Sequence, residues 1–508
     1  MTAPADRLGR AAPPALAAAT LALHALAWDR YGIFRDELYF VACGLRPSWG
    51  YVDQPPGIAA VAGLAHAAFG DWVPGLRLPA WLAAAGVVWL AGRLAVRLGG
   101  GGVAALLASL AVACSPLLRG VSHLLSMNVF EALLLLALVH VLVGLVDGAD
   151  PRRWLLAGAL AAVAVLFKYS AALLAAGLVA GLLLGPARGA LRTRWALAGA
   201  ALALALVLPN FLWQASHGFP FLELVRNGQL HKNAPFSALG FLGQLVLEAG
   251  PFTSYLWTGG LGWLLVSRSG RAWRFAGIGA GLYLALLLLT KGKAYYFATA
   301  VPFLAAAGAV SLEATLRPRP RAARAVACAL LASQLAGVPL GVPLLPEATL
   351  VRYAAALGVE SPPLERDRQG ALSQTFADMH GWQALADAVT RAAGTLPEAE
   401  RRTAVVFGQN YGQAAAVDVL GAGRGLPPVI SGHNHYWLWG VPAGRGDPVI
   451  VVGDEDEDCG GFFGEKVRVE RLPSDPWVRP AEDARTIWIC RGARQPLETI
   501  WPGLRHYE

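Results

Sequence analysis

The order of apolar and polar positions divides the chain into two regimes. Up to about residue 345, long apolar runs alternate with short polar connections, and beyond that point the apolar stretches shorten and alternate. Val103–Leu118 carries no charge and Val129–Val146 only Glu131. Such runs approach the ~20 residues that cross a ~30 Å hydrocarbon core. The pattern predicts about eleven transmembrane helices, near 11–28, 76–92, 103–118, 129–146, 154–167, 170–185, 195–209, 251–267, 275–290, 296–313 and 325–345, with ends open by several residues. The expected fold is therefore a polytopic α-helical membrane protein, its helical domain spanning 1–345 with a long first loop at 29–75. In residues 346–508, strand-like segments such as Thr403–Phe407 and Val449–Val452 predict a soluble α/β domain.

Composition sharpens this picture. Of 508 residues, 56% are hydrophobic and 15% charged, which excludes an ordinary soluble protein. The net charge of +8 comes from basic residues scattered between apolar runs, without the aromatic interleaving of a nucleic-acid surface, so nucleic acid is excluded as a partner. Met1–Arg10 leads into an apolar run with no convincing small-residue cleavage site and more runs behind it, so the first helix is expected to be a signal anchor.

Sixteen arginines fall in alternate connections: Arg7/Arg10, Arg93/Arg97, Arg152/Arg153, Arg188/Arg192/Arg194, Arg268/Arg271/Arg274 and Arg317/Arg319/Arg321/Arg324. The positive-inside rule makes those connections and the N-terminus cytoplasmic. The opposite face then receives the first loop, the turns at 119–128, Lys168 and 291–295, the loop 210–250 and, by parity, residues 346–508. Cys459 and Cys490 both lie in that exported segment, where they could pair or remain two thiols.

Chemistry-bearing residues concentrate in the outer segments. The first loop reads Arg35-Asp36-Glu37-Leu-Tyr39 and then Tyr51-Val-Asp53-Gln54-Pro55-Pro56. By itself this could be a solvated loop that neutralises its own charge. An Asp-Glu pair just after the first span, with an acidic residue before Pro-Pro, resembles the signature of the GT-C membrane glycosyltransferases. The closest likeness is to the group of protein O-mannosyltransferases and the bacterial transferase that adds aminoarabinose to lipid A. Gly292-Lys293-Ala-Tyr295-Tyr296, His231-Lys232-Asn-Ala-Pro235 and Phe167-Lys168-Tyr resemble further elements of that group, in order over about residues 10–345. Gly408-Gln-Asn410-Tyr411-Gly and Ser431-Gly-His433-Asn434-His435-Tyr436 are similar to elements of bacterial family 39-like relatives.

The resemblance implies transfer of a sugar from a polyprenyl-phosphate donor to a lipid, glycan or protein hydroxyl, with inversion, outside the bacterial cytoplasmic membrane. It makes Asp36 the general base, with Glu37 orienting it or sharing its work. The leaving lipid phosphate needs cations, and Lys293, Lys168, Arg226, Lys232 and Arg35 are candidates, with Tyr296 beside them. Asn128, Glu131, His433, His435 and Tyr436 are candidates for contacting substrate. In some relatives a divalent metal assists, and Asp53 with His231, or His217 in its place, could hold one here. Two ligands at no fixed spacing are a weak metal signature. Gln54 departs from the aminoarabinose transferase pattern, which has lysine there, and so leaves donor and acceptor open. The run Asp454–Asp458 lacks the glycine and spacing of a calcium loop and reads as a solvated turn. A transporter or flippase of lipid-linked sugars is the main alternative, but it would place its charges near the membrane midplane and leave internal repeats, which the sequence lacks. A non-catalytic scaffold is a third reading, against which Asp36, Glu37 and Asp53 together argue.

Overall fold

A computed structural model describes residues 4–232, 235–251, 253–359, 370–454 and 459–508. The chain divides into two compact units: residues 1–30, 71–212 and 235–345 form the first, and residues 31–70, 213–234 and 346–508 the second.

The first unit is helical throughout. A helix lies at each apolar run: Pro4–Leu26, Val73–Arg97, Gly102–Cys114, Met127–Val146, Arg153–Phe167, Ser170–Leu184, Arg194–Ser216, Ser254–Val266, Arg274–Leu289, Val301–Leu316 and Pro320–Gly341. Among the described residues, four helices meet the length and composition of a membrane crossing on their own: Val73–Arg97, Met127–Val146, Arg194–Ser216 and Arg271–Leu289. Six further apolar helices, including Arg153–Phe167 and Val301–Leu316, are shorter. At 1.5 Å per residue a 15-residue helix covers only ~22 Å, so it needs flanking residues to reach both interfaces.

The run 103–118 is broken by a 59° bend into Gly102–Ala113 and Pro116–His123. Pro116 holds Ser115 extended, and the Ser115 hydroxyl caps the new helix by accepting the Leu118 N–H at 3.3 Å. Pro209, where the expected span ended, lies inside a helix that runs on to Ser216.

Contacts within this unit sort the connections by end. Arg97 pairs with Asp147 at 3.8 Å and the Trp273 indole donates to Asp147 at 2.9 Å, which gathers three arginine-bearing connections. Lys168 donates to Asn128 at 2.6 Å and stacks on Tyr296 at 4.3 Å, which gathers the turns near 128, 168 and 295. Helices meet closely through glycine. A methyl at Gly260 would stand 1.8 Å from the Leu304 carbonyl oxygen, and one at Gly308 1.9 Å from that of Leu256. Small residues let helix backbones touch in lipid, where apolar burial alone does not hold helices together.

The second unit contains a five-stranded sheet in the order β2-β1-β3-β5-β4, formed by β1 (Val405–Gly408), β2 (Val429–Ile430), β3 (Val449–Gly453), β4 (Phe463–Arg471) and β5 (Thr486–Ala493). β1 runs parallel to β2 and β3, whereas β5 is antiparallel to β3 and β4. Both expected strands are present, although β1 begins at Val405 because Thr403 ends the helix Glu398–Thr403. Cys459 and Cys490 are disulfide-bonded and lie in the sheet's apolar core with Val405, Val449 and Trp501. Residues 455–458 of the acidic run lie outside the described residues; Asp454 is exposed and pairs with Arg485. Segment 31–70 is more ordered than a loop, with helices Arg35–Gly44 and Pro56–Phe69. Start signals for both were present, acidic residues in one first turn and Pro56 at the head of the other.

Gly308→Ala should push the helices Ser254–Val266 and Val301–Leu316 apart, at a cost of ~1–3 kcal/mol or more. Thermal unfolding in detergent should show a lower midpoint; an unchanged midpoint would mean the backbone contact is not needed.

Candidate active site

The singled-out residues form one set in each unit. The set in the second unit is built on helix Arg35–Gly44. Phe34 is extended, and the fully buried Glu37 side chain accepts the Phe34 N–H at 2.8 Å, closing the first turn. Asp36, one position earlier, is turned outward with 34% of its side chain exposed. Its Oδ1 accepts the Tyr411 phenol at 2.8 Å and Arg35 Nε at 3.4 Å, and among the described residues its Oδ2 has no partner.

Tyr411 opens the helix Tyr411–Leu420, which Asn410 caps by accepting the Gly412 and Gln413 N–H groups at 2.9 and 3.0 Å. That helix follows β1, so Tyr411 stands at the carboxyl end of the parallel strands, the edge at which open α/β sheets hold ligands. Burial pushes the Tyr411 phenol well above its ordinary range, with Arg35 opposing and the Asp36 carboxylate adding to the rise. It therefore remains a proton donor to Asp36.

Arg35 is held from several directions. Its guanidinium lies 5.1 Å from the Tyr411 ring centre and 3.7 Å from Asp378, and its N–H donates to the Asp378 carbonyl at 3.0 Å. Asp378 is itself buried and faces Arg479 at 3.8 Å. Gly412 makes room for this packing, because a methyl there would meet the Arg35 Cγ and Cδ at 2.6 Å. Arg35 thus spends its charge within the protein.

Asp53 is held in the same manner. The Tyr39 phenol donates to its Oδ1 at 2.8 Å, while the Tyr39 oxygen accepts the His435 N–H at 3.3 Å. The Tyr39 and Tyr411 rings lie 4.8 Å apart, so the two phenol–carboxylate pairs share one aromatic layer. Burial first, and then Asp53, raises the Tyr39 phenol well above its usual value.

His433, His435 and Tyr436 are buried, and their visible partners are protein groups. His433 Nε2 lies 3.1 Å from the Glu508 carbonyl, and the Tyr436 phenol donates to Asp418 at 3.0 Å. His435 packs among Tyr51, Trp439 and Trp213 at ring distances of 4.7, 5.1 and 5.7 Å. Arg226 and His231 are exposed, His217 stacks on Trp213 at 4.1 Å, and the Lys232 side chain lies outside the description.

The set in the first unit joins three turns that are distant in sequence. Lys168 Nζ donates to Asn128 at 2.6 Å, lies 3.6 Å from Glu131 and sits over the rings of Tyr296 and Tyr295 at 4.3 and 4.7 Å. Ser170 donates to Glu131 at 2.7 Å. Lys293 is within electrostatic reach of Lys168. Asn128, Glu131, Lys168, Lys293 and Tyr296, chosen from separate motifs, are therefore brought together.

The family profile described as dolichyl-phosphate-mannose-protein mannosyltransferase matches residues 53–213, under half of the chain. No curated protein sequence matches it. Solved structures do. ArnT from Cupriavidus metallidurans bound to undecaprenyl phosphate is 15% identical, with 94% of this chain and 97% of that one covered at a TM-score of 0.61. The same protein in its apo state gives 16% identity, the same coverage and a TM-score of 0.59. Arabinofuranosyltransferase AftD from Mycobacteria is 16% identical, with 95% of this chain but only 40% of AftD covered, at a TM-score of 0.53. This chain has the GT-C fold. Both comparisons point to glycosyltransferases of that group, the one the sequence motifs resembled.

Some GT-C relatives were expected to use a divalent metal. Among the described residues no group of three or more His, Cys, Asp or Glu side chains could hold one, and Asp53 Oδ1 already accepts the Tyr39 phenol. Among the described residues, Asp53 and His231 therefore belong to no such group. Sequence reading passed over Tyr39, Asp378 and the contact made by Tyr411, since each acquires meaning only from a partner far along the chain. For Tyr411, placement after β1 and the Asn410 cap was the available signal.

His435 supplies a pH test. Burial, with His217 adding to it, lowers its pKa from 6.5 to about 3. The unfolded chain therefore takes up a proton below pH 6.5 that the folded chain refuses, and stability falls as pH drops from 6.5 toward 3. His435→Gln should flatten the fall in unfolding temperature between pH 6.5 and 4.5 relative to wild type; an unchanged slope would remove His435 as its source.

Proposed function

We propose that this GT-C chain transfers a glycosyl group from a polyprenyl-phosphate donor to an acceptor hydroxyl on the outer face of the bacterial cytoplasmic membrane, with inversion and with Asp36 as general base. The carrying observation is the Asp36 carboxylate itself, fixed at Oδ1 by two donors, open at Oδ2, and partly exposed in an otherwise buried cluster. An alcohol is a poor nucleophile, and a positioned carboxylate assists by taking its proton in the transition state. In this reading the acceptor O–H proton goes to Asp36 Oδ2 as the acceptor oxygen bonds to the anomeric carbon. The bond from that carbon to the donor phosphate breaks on the opposite face, and the phosphate leaves with the electron pair.

The bound undecaprenyl phosphate of the ArnT structure supports a lipid phosphate as the donor's carrier. Lys293 and Arg226 keep their assignment to the donor phosphate. Lys168 is a less direct candidate, because Glu131 and Asn128 already meet its ammonium. Outer-face location is supported by the Cys459–Cys490 bond, which suits an oxidising compartment, and by the gathering of arginine-bearing connections at one end of the helical unit.

Topology is checked by reporter fusion: a phosphatase fused after Glu508 should be active outside the cytoplasm, and inactivity there would reverse the assigned face. The reaction is checked by incubating purified protein with a panel of polyprenyl-phosphate sugars. One donor should be consumed and its sugar found on an acceptor. Asp36→Asn should bind that donor as wild type does and transfer ~10²–10⁴-fold more slowly. Undiminished turnover by a folded Asp36→Asn protein would remove Asp36 from the role.

A further inference from the structure

We infer that Tyr411, contributed by the C-terminal segment, is a positioning residue for Asp36, selecting which carboxylate oxygen takes the acceptor's proton. The inference rests on the proposed transferase reading and deepens it.

The geometry supports it in two ways. The Tyr411 phenol has one hydroxyl proton, and the structure commits it to Asp36 Oδ1 at 2.8 Å. Arg35 Nε approaches the same oxygen at 3.4 Å, so both donors fall on Oδ1 and none of the described groups falls on Oδ2. A carboxylate with one oxygen saturated by donors is fixed in rotation about its Cβ–Cγ bond and offers the other oxygen's lone pairs outward. The base therefore has a single working atom.

The phenol is itself immobile. Its ring is 8% exposed and lies between the Arg35 guanidinium at 5.1 Å, the Tyr39 ring at 4.8 Å and the His433 ring at 5.0 Å. Its backbone is set by the Asn410 cap, and Asn410 is anchored in turn by donating its side-chain N–H to Glu482 at 2.7 Å. Gly412, next in sequence, has no side chain where the Arg35 stem passes. This is more organisation than one packing tyrosine requires, and all of it ends at one carboxylate oxygen.

The test compares wild type and Tyr411→Phe, as full-length protein in the same detergent, for transfer at neutral pH across donor concentrations. The donor is whichever polyprenyl-phosphate sugar the wild type consumes. Phenylalanine keeps the ring and its packing, and thermal unfolding and size-exclusion profiles check the fold. The expected result is a kcat lower by about tenfold or more with a nearly unchanged donor KM. Asp36→Asn combined with Tyr411→Phe should be no slower than Asp36→Asn alone, since the phenol acts only through that carboxylate. An undiminished kcat, a rise confined to KM, or further loss in the double variant would overturn the assignment while leaving the transferase reading intact. Consumption of no donor by the wild type would overturn that reading itself, and this inference with it.

Discussion

The second unit depends on hydrogen bonds from buried phenols to carboxylates across great lengths of chain. Tyr411 reaches Asp36 over 375 residues, and Tyr39 donates to Asp53 within the same aromatic layer. A buried carboxylate with no partner would cost several kcal/mol, whereas one that accepts a charge-assisted bond recovers ~1.5–3 kcal/mol. The acids of segment 31–70 draw donors from two sources, Glu37 and Asp53 from Phe34 and Tyr39 of the same segment and Asp36 from Tyr411 of the C-terminal one. Because burial raises both phenols, neither loses its proton near neutral pH, and the donors persist whenever the carboxylates are ionised.

The helical unit handles charge under a stricter constraint. Lys168 and Glu131 are both buried between apolar helices, and each is acceptable there because the other is present, with Asn128, Ser170 and two tyrosine rings supplying the remaining contacts. Breaking such a pair from one side leaves an uncompensated charge and costs more than the pair contributes. Lys293 acts on the same lysine, and Glu248 acts with Glu131 on Tyr295. Lys168 itself serves first to neutralise Glu131.

Much of this was legible in the sequence for a physical reason. Apolar runs in lipid must be helical, since each backbone polar group has to be satisfied within its own segment, so the runs located the helices of the first unit. Loop parity placed the turns near 128, 168 and 295 on one side, and the contacts of Lys168 gather all three. What the sequence hid was set by tertiary partners. The two helices within 31–70 are short, and Arg35–Gly44 is buried on nearly every side, so neither shows a long periodic pattern and the segment read as a loop. The bend at Ser115 and the continuation through Pro209 are opposite outcomes of the same residue type, decided by neighbours rather than by proline alone. His433, His435 and Tyr436, which by sequence could line an acceptor groove or form a polar loop, are buried with protein groups as partners.

The adjacent acids Asp36 and Glu37 show how position within a helix's first turn separates two residues of similar chemistry. Glu37 occupies the third helical position, from which a carboxylate reaches back to the N–H of the residue preceding the helix, and it is fully buried in doing so. Its carboxylate also lies at the positive end of the helix dipole, which commits it to that place. Asp36 has a shorter side chain and points away from the helix end, so its partners come from Arg35 and from the distant Tyr411. Exchange of roles would require Glu37 to leave the helix terminus, exposing a buried donor, and Asp36 to turn inward against the Arg35 stem. In the proposed reaction this division leaves Glu37 to shape the turn and Asp36 to take the proton, and it would tie the base's geometry to a helix cap as firmly as to the residues that touch it.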